Sequence, residues 1–335
     1  MDHNYLTLMT SLGICIPTYK RPDFLRRCVL SALKAAGDRP IRIFISDDST
    51  DDTNAALYEE LRAYSSAIVT IRNRLNLGID DNIQRCVALC DCDYAWIIGE
   101  DDYFLPGSVS RIHDLLQERD NPFVFANYNF VNDAHNQIIR TALRAPDGEI
   151  TSAEFVRKHL WAAGFIGGCI VNRNCWNNTS AAPYIGTYYT HVGRICEMLA
   201  QPNSRVYIVA TPCVANRAEG ADTFTWKHDS YGVLVGFRNM CEAVAKQFPS
   251  IKSEVLEAGR MATQGFLRLS LAMRLRSELG YDQTQYRRYL KPYLTSPIKR
   301  LAFYLISVMP PSIFGPPVIA YRLLRRLQTT LGQRQ

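Results

Sequence analysis

The sequence predicts an α/β fold, in which a mostly parallel sheet with flanking helices is followed by a C-terminal helical region. Within the first 130 residues, apolar runs of strand length alternate with segments whose apolar residues recur at helical spacing. Repeated strand–helix units of this kind give layered α/β domains with parallel strands. From about residue 229 onward the pattern is helical. We therefore expect two parts, residues 1–226 and 227–335.

Five apolar runs predict the strands of the first part. They span residues 12–16, 41–46, 67–72, 94–98 and 123–127. Beyond them the pattern is mixed, with a strand expected at 165–171, a helix at 190–199 and strands within 205–215.

Helices are expected between these strands. The first has one apolar face and ends at Gly37; the face comprises Leu25, Cys28, Val29, Ala32, Leu33 and Ala36. Thr50 or Asp51 is a candidate N-cap for a second helix that runs to about residue 64. A third helix covers about 79–89, and a fourth follows Pro106 and Gly107 to about 118.

Three polar loops follow strands whose carboxyl ends should share one edge of the sheet, where ligands of such folds bind. They contain Pro17, Thr18, Tyr19, Lys20 and Arg21; Asp47, Asp48 and Ser49; and Glu100, Asp101 and Asp102. We call this edge the carboxyl rim.

The three adjacent carboxylates at 100–102 allow two interpretations. Mg²⁺ and Mn²⁺ are hard cations that bind one or two carboxylates and complete their coordination with water and phosphate oxygens. The alternative is a solvated acidic turn that caps the helix after Pro106.

The acidic stretch after the second strand favours a nucleotide. Helix capping accounts for Thr50 and Asp51 but not for Asp47, which can accept a hydrogen bond from a base or a ribose. Tyr19 is a candidate to stack on the base. Lys20, Arg21 or Arg74 is a candidate partner for phosphate.

Several other classes fit poorly. The chain lacks a Gly-x-Gly-x-x-Gly fingerprint, a Gly-Lys-Ser/Thr loop and a Gly-x-Ser-x-Gly elbow. Its ten cysteines include no Cys-x-x-Cys pair, which argues against zinc, and several lie in apolar runs, which favours a reducing compartment. Residues 1–10 carry no Lys or Arg, so we expect no secretory signal.

Taken together, four ordered motifs resemble the family 2 glycosyltransferases of GT-A fold, a Rossmann-like architecture. The motifs are residues 16–22, residues 47–53, Asn76-Leu77-Gly78 with Asn82, and Glu100-Asp101-Asp102. The segments at 76–83 and 94–102 are most similar to the branch that builds bacterial O-antigen and other surface polysaccharides, including abequosyltransferase-like enzymes.

The resemblance implies an inverting hexosyl- or deoxyhexosyltransferase that uses a nucleoside-diphosphate sugar and Mn²⁺ or Mg²⁺. It implies Asp102 as the metal ligand. The implied donor-binding residues are Pro17, Thr18, Tyr19, Arg21, Asp47, Asn76, Asp81, Glu100, Asp101 and Arg217. Arg217 and His228 flank a stretch that is a candidate lid over the donor.

Relatives carry the catalytic base, an Asp, at a helix start about 90 residues past the metal motif. Here His191 stands in that region, so we expect His191 to be the base; Glu197 is the weaker substitute, and a base elsewhere stays open. A packing or capping role for His191 is the alternative.

The tail is strongly basic, with nine Lys and Arg and no acid after Asp282. Residues 301–321 are uncharged but are divided by prolines, which favours interfacial helices on an anionic membrane over a membrane span. A basic pair packed on the body or in a homo-oligomer interface is the alternative; nucleic acid fits less well, since no binding module is recognisable.

We therefore expect residues 287–326 to attach the enzyme peripherally to a membrane. The family resemblance implies that this is the cytoplasmic face of the inner membrane and that the acceptor is a polyprenyl-diphosphate-linked glycan. A sugar nucleotidyltransferase and a non-catalytic scaffold with a decayed site are the alternative functions.

Overall fold

The computed structural model describes residues 9–132, 137–217, 229–278 and 280–315. The chain forms two compact units. The first contains the described residues up to 217 together with 240–258, and the second contains 229–239 together with 259–315. The predicted boundary at residue 226 falls outside the described residues and stays a prediction. The described residues include no helix with both the length and the apolar character needed to cross a bilayer.

The sheet of the first unit has ten strands among the described residues. They are β1 Leu12–Thr18, β2 Ile41–Asp47, β3 Ile68–Arg72, β4 Tyr94–Ile97, β5 Tyr103–Phe104, β6 Phe123–Asn132, β7 Gln137–Thr141, β8 Gly148–Thr151, β9 Cys169–Asn172 and β10 Arg205–Arg217. Their order is β3-β2-β1-β4-β9-β6-β10-β5, with β7 beside β6 and β8 beside β10. Strands β1 to β4 are mutually parallel, whereas β9 is antiparallel to both of its neighbours.

Helices of the described chain are α1 Pro22–Ala36, α2 Ala55–Tyr64, α3 Gly78–Leu89, α4 Ser108–Glu118, α5 Ser152–His159, α6 Arg173–Asn177, α7 Thr190–Leu199, α8 Ser230–Gln247, α9 Lys252–Phe266, α10 Leu269–Glu278, α11 Gln283–Gln285 and α12 Pro297–Val308. Short 3₁₀ turns at Leu160–Gly164 and Ile166–Gly168 precede β9. The α/β fold class and the helical C-terminal region are confirmed.

The core elements follow the predicted periodicities. Every residue of β1 is buried, as expected for a strand covered on both faces. Helix α1 buries the expected apolar face, apart from the half-buried Leu33, and ends at Gly37, whose φ of 58° a residue with a side chain rarely adopts. Helix α7 has the predicted bounds.

Three local expectations are wrong. Helix α2 begins at Ala55 after Asn54, because the Asp51 carboxylate closes a turn by accepting from the Thr53 amide at 3.2 Å. Strand β9 begins only at Cys169, since two 3₁₀ turns occupy the residues before it. The segment 205–215 belongs to one strand, β10, with an irregularity between Val209 and Val214.

The second unit is a helical bundle around an aromatic cluster. Tyr231, Phe266, Tyr281, Leu290 and Phe303 are buried together. The Tyr231 and Tyr281 rings lie 4.9 Å apart edge to face, and the Tyr281 hydroxyl donates to the Phe303 carbonyl at 3.0 Å.

Candidate active site

The parallel register brings the three polar loops to one edge. Thr18 at the end of β1 lies opposite Asp47 at the end of β2, and β4 ends beside β1. The Asp48 amide donates to the Thr18 carbonyl at 2.9 Å, which joins the first two loops. The carboxyl rim is therefore a continuous structural feature.

Asp47 is fully buried and organises the loop after β2. Its carboxylate accepts from the Ser49 amide at 2.8 Å, the Asn54 side chain at 3.0 Å and the Tyr58 hydroxyl at 2.6 Å. Burial and the bond to Asp47 raise the pKa of Tyr58, so the phenol stays a donor. These three donors occupy the carboxylate, and this geometry gives the predicted contact with the nucleoside no support.

Asp48 anchors the start of α3. One carboxylate oxygen accepts from the Leu77 amide at 3.0 Å and the Gly78 amide at 2.9 Å, and the other accepts from the Asn73 side chain at 2.9 Å. A carboxylate at a helix N-terminus satisfies amides that the helix itself leaves unbonded. The sequence analysis gave Asp48 no role, because its partners lie 29 and 30 residues away along the chain.

The other predicted donor contacts at α3 and β1 are more accessible. The Asn76 side chain accepts from the Gly78 amide at 2.9 Å, and both Asn76 and Asp81 are exposed at the start of α3. Tyr19 is exposed beyond the end of β1, whereas Pro17 and Thr18 are buried within it. The Tyr19 ring is thus available for stacking at the rim.

Arg21 pairs with the carboxylate triplet. Its guanidinium lies 2.9 Å from the Asp101 carboxylate and 3.9 Å from that of Glu100. Arg27 donates to the Asp101 carbonyl at 3.2 Å. Arg21 was predicted to meet the donor, and the structure brings it to the acids that were predicted to hold the metal.

Asp102 is 5% exposed, and its Oδ1 accepts from the Arg217 amide at 3.1 Å. The Arg217 guanidinium lies over the Phe24 ring, 4.3 Å from its centroid. The structure therefore brings together five of the predicted site residues at the ends of β1, β4 and β10: Arg21, Glu100, Asp101, Asp102 and Arg217.

The triplet is an electrostatically strained centre. Burial, and secondarily the charge of Asp101, raise the pKa of Glu100 to about 8. Burial is also the largest cause of the raised pKa of Asp102, followed by the charge of Asp101. Ionising all three carboxylates is costly here unless positive charge is added.

The residues fit a hard divalent cation. A Cβ atom on Gly99 would lie 3.2 Å from Asp101 Oδ1 and 3.2 Å from Asp102 Oδ2, so one oxygen of each carboxylate lies close to the same backbone position, where glycine adds no side chain. The partner oxygens of the same carboxylates are those that meet Arg21 and the Arg217 amide. Within the described ranges no group of three or more His, Cys, Asp or Glu residues is arranged to hold a metal. Mg²⁺ and Mn²⁺ need only one or two protein carboxylates, because they draw their remaining ligands from phosphate and water.

His191 lies inside α7 and is 1% exposed. Its Nε2 lies 3.1 Å from the Ala163 carbonyl oxygen, which can only accept, so Nε2 carries the hydrogen. Nδ1 is buried without a hydrogen-bond partner among the described residues. Burial lowers the pKa of His191 to about 4. The structure does not bring His191 to the rim surface, so its role as base stays a prediction that this conformation disfavours.

Two other candidate site residues from the sequence were Glu197 and His228. Glu197 is also buried in α7, where its carboxylate accepts from the Ser180 amide at 3.1 Å. His228 lies outside the described residues.

Asp80, which the sequence analysis also missed, connects two segments. It lies in the first turn of α3 and accepts from the amides of Gly186, Tyr188 and Thr190, just before and at the start of α7. An acid in a first helical turn is a recognisable signal of helix stabilisation. Its partners, more than 100 residues further along the chain, leave no sequence signal.

Comparison with known proteins agrees with this geometry. Residues 13–174 match the family model described as glycosyl transferase family 2. Abequosyltransferase RfbV of Salmonella typhimurium strain LT2 is 27% identical over 240 residues, covering 68% of this chain and 72% of that protein. Uncharacterized protein MT1568 of Mycobacterium tuberculosis is 26% identical over 115 residues, covering 34% of this chain and 35% of that protein.

Solved structures with a similar fold include residues 1–349 of S. aureus TarS. The TM-score is 0.57 at 12% identity, covering 88% of this chain and 89% of that chain. The complex of the same TarS fragment with UDP-GlcNAc has a TM-score of 0.52, with the same identity and coverage. These likenesses concern the fold, and they agree with the resemblance carried by the four motifs. Residues 13–174 therefore form a family 2 glycosyltransferase domain with the GT-A fold, and the protein is a glycosyltransferase.

Proposed function

We propose that the protein is a metal-dependent, inverting glycosyltransferase of surface-polysaccharide synthesis. It moves a sugar from a nucleoside-diphosphate sugar to a hydroxyl of a polyprenyl-diphosphate-linked glycan. The observation that carries the proposal is that one carboxylate oxygen of Asp101 and one of the buried Asp102 both lie beside Gly99. The similarity to an abequosyltransferase supports the O-antigen branch.

The donor would lie along the carboxyl rim. Tyr19 offers an exposed ring to the base, and Thr18 and Pro17 line the end of β1 beneath it. Asn76 and Asp81 are exposed at the start of α3, on the side reached by Asp48. A structure of similar fold in complex with UDP-GlcNAc supports a nucleotide sugar as the donor class.

The acidic centre would hold the ion through Asp102 and Asp101. The Arg217 amide binds Asp102 Oδ1, and the Arg21 guanidinium binds Asp101 Oδ2. The remaining oxygens, Asp102 Oδ2 and Asp101 Oδ1, would then be held in place for the ion. When bound, Mn²⁺ or Mg²⁺ supplies positive charge for the departing diphosphate. Arg21 also compensates Glu100 and Asp101 when the donor's negative charge arrives.

Inversion needs a base on the acceptor side. The acceptor oxygen bonds to the anomeric carbon as the bond from that carbon to the diphosphate breaks, and the acceptor proton passes to the base. His191 is the base that the sequence predicts, and the burial of its ring does not support that assignment in the present conformation.

The proposal is tested with a screen of UDP-, GDP-, CDP- and dTDP-sugars for thermal stabilisation with and without Mn²⁺, followed by transfer to octyl glycosides as acceptor probes. We expect one donor to stabilise the protein only with the metal, by mass action. Asp102→Asn should remove that stabilisation and lower transfer at least about a hundredfold. Asp114→Asn is the matched control. It removes an exposed carboxylate on α4 that pairs with Arg39, and it should leave both the thermal stabilisation and the transfer unchanged. Failure of the wild-type protein to bind any nucleotide with Mn²⁺ would favour a non-catalytic scaffold.

Membrane attachment is the second part of the proposal. Helix α12 buries Phe303, Ile306 and Ser307. On another face it exposes an apolar stripe at i, i+3, i+7 and i+10, where Ile298 is 81% and Leu301 58% exposed; the stripe is completed by Leu305 and Val308. A contiguous exposed apolar stripe on a folded helix indicates an interaction surface.

The charges around this stripe favour an anionic bilayer. Exposed basic residues of the same unit are Arg287, Arg288, Lys291, Lys299 and Arg300. Each basic residue near an anionic surface contributes about 1 kcal/mol, and an amphipathic helix inserts its apolar face at the interface. Residues 316–326 of the predicted membrane segment lie outside the described residues. Ten free cysteines, nine of them buried, support a reducing compartment and thus the cytoplasmic face.

Vesicle flotation tests this part. The wild-type protein should float with phosphatidylglycerol-containing vesicles and much less with pure phosphatidylcholine. Joint Leu301→Ser and Leu305→Ser should weaken binding at least about tenfold, because buried CH₂ groups contribute about 0.8 kcal/mol each. Leu256→Ser on α9 is the matched control, since Leu256 is 42% exposed and Leu305 is 44% exposed. If the double variant floats normally and instead converts an oligomer into a monomer in sedimentation, the stripe is a homo-oligomer interface.

A further inference from the structure

The Asp80 carboxylate serves as a hydrogen-bond acceptor for a distant segment. Its Oδ2 accepts from the Gly186 amide at 2.9 Å and the Tyr188 amide at 3.0 Å, and its Oδ1 accepts from the Thr190 amide at 3.2 Å. Asp80 is 7% exposed, so these bonds are shielded from water. Charge-assisted bonds of this kind are stronger than bonds between neutral groups.

Residues 186–190, which we call the α7 entry segment, receive these bonds at a place where the backbone is strained. Gly186 has a φ of 82° and Tyr188 has a φ of 66°, and the left-handed region costs a residue with a side chain about 1 kcal/mol or more. The residue at the N-cap position of α7, Tyr189, makes no side-chain capping bond. Asp80 therefore supplies from α3 the acceptor that the first turn of α7 lacks.

The same turn of α3 is tied to the donor side of the rim. The Asp48 carboxylate holds the Leu77 and Gly78 amides, and the Asn82 side chain donates to the Thr18 carbonyl at 3.3 Å. Asp80 lies between these two attachments in sequence. The entry segment is thus linked through one helical turn to the ends of β1 and β2, where the proposed nucleotide site lies.

The side chains of the entry segment suit a sugar acceptor. Tyr188 and Tyr189 are half-buried, and Ile185 immediately before them is exposed. Aromatic faces pack against the apolar faces of sugar rings. Because Asp80 joins the entry segment to the first turn of α3, and that turn is bonded to the loops after β1 and β2, the entry segment is a neighbour of the proposed donor site.

We propose that Asp80 is a positioning residue that fixes the entry segment as the acceptor side of the active site. The inference rests on the proposed function, since it assigns the acceptor surface of that reaction. Asp80 touches no reacting atom; it acts through the backbone of residues 186–190.

The test compares Asp80→Asn and Asp80→Ala with Asp93→Asn. Asp93 accepts from the Ser11 amide at 2.8 Å at the opposite edge of the sheet, so its variant loses a similar bond away from the rim. Hydrogen exchange of a peptide covering 184–192 reports the anchoring. We expect exchange there to accelerate at least about tenfold in the Asp80 variants, more in Ala than in Asn, and not in Asp93→Asn.

Kinetics then separates positioning from folding. With octyl glycosides as acceptor probes, the Asp80 variants should raise the acceptor KM at least about fivefold, while Mn²⁺-dependent binding of UDP, GDP, CDP or dTDP, by calorimetry, stays within about twofold. Gly186→Ala perturbs the entry segment while Asp80 stays intact. The alanine Cβ would meet nothing within 4 Å, but the φ of 82° disfavours alanine. The acceptor KM should therefore rise in this variant too.

Unchanged exchange at 184–192 in Asp80→Ala would overturn the anchoring. Accelerated exchange with an unchanged acceptor KM, or with nucleotide binding weakened equally, would overturn the positioning role. If the wild-type protein transfers no sugar from any donor, the proposed function fails, and the exchange experiment still decides the anchoring independently.

Discussion

The buried ring of His191 makes a quantitative prediction about pH. Its pKa is lowered from 6.5 to about 4, chiefly because burial disfavours the charged form of the ring. Between pH 6.5 and pH 4 the unfolded chain therefore binds more protons at this site than the folded chain does. The resulting stability is fully present above pH 6.5 and is lost as the pH falls toward 4.

Lowering the pKa of His191 from 6.5 to about 4 corresponds to about 3 kcal/mol of stability. In His191→Gln the side-chain amide can still donate to the Ala163 carbonyl but never ionises. The variant should be less stable than the wild type by about 1 to 2 kcal/mol at pH 7, since the ring packing is lost. That difference should shrink by about 3 kcal/mol at pH 4, so that the variant becomes the more stable protein.

The assay is urea unfolding of both proteins between pH 4 and pH 7 in the absence of divalent cations. Other titrating groups are common to both proteins and cancel in the difference. His159→Gln serves as the control: the half-buried His159 also has a lowered pKa from burial, but without the complete enclosure of His191. Its pH-dependent difference should be smaller.

Parallel stability curves for wild type and His191→Gln would refute the burial argument. Catalysis gives an independent check. If His191 only packs, His191→Gln should keep transfer within about tenfold of the wild type, whereas loss of a general base costs about 10² to 10⁴. A loss of that size would mean that the ring reaches the acceptor in the working enzyme.

Three further outcomes follow from the rim. The pKa of Glu100 is raised from 4.5 to about 8, so without metal the folded protein should lose stability as the pH rises from about 5 to 8. Glu100→Gln should then be the more stable protein at pH 8 by about 4 kcal/mol in urea unfolding; an equal or lower stability would contradict this. Asp48→Ala removes the acceptor of two α3 amides and should cost about 2 to 4 kcal/mol in the same measurement. Gly99→Ala would insert a Cβ at 3.2 Å from one oxygen each of Asp101 and Asp102, so Mn²⁺ binding by calorimetry should weaken at least about tenfold with little change in melting temperature.

The fold was largely predictable because it rests on local periodicity. Continuous apolar runs predicted β1, β2 and β4, and the helical face of α1 needed only its own spacing. The start of α2 was not predictable in the same way. Thr50, Asp51 and Asn54 are all suitable N-caps, and the choice depended on a turn closed by Asp51 and on its ion pair with Lys20.

The candidate site was predictable where a residue's role follows from its strand end. The acids at 100–102 and the exposed Tyr19 lie at the expected rim. Roles that depend on the direction in which a side chain points were not predictable. Whether Asp47 points to a nucleotide or to Tyr58, and whether His191 faces solvent or Ala163, is decided by packing between elements far apart in sequence.

The carboxylates of Asp48 and Asp80 accept hydrogen bonds from main-chain amides, and any residue except proline presents the same amide. The side chains at 77 and 188 can therefore be exchanged during evolution without losing these bonds, whereas the φ of 82° favours glycine at 186. A scaffold of this kind allows related enzymes to acquire new sugar preferences by altering what the loops display, while the loops themselves keep their course.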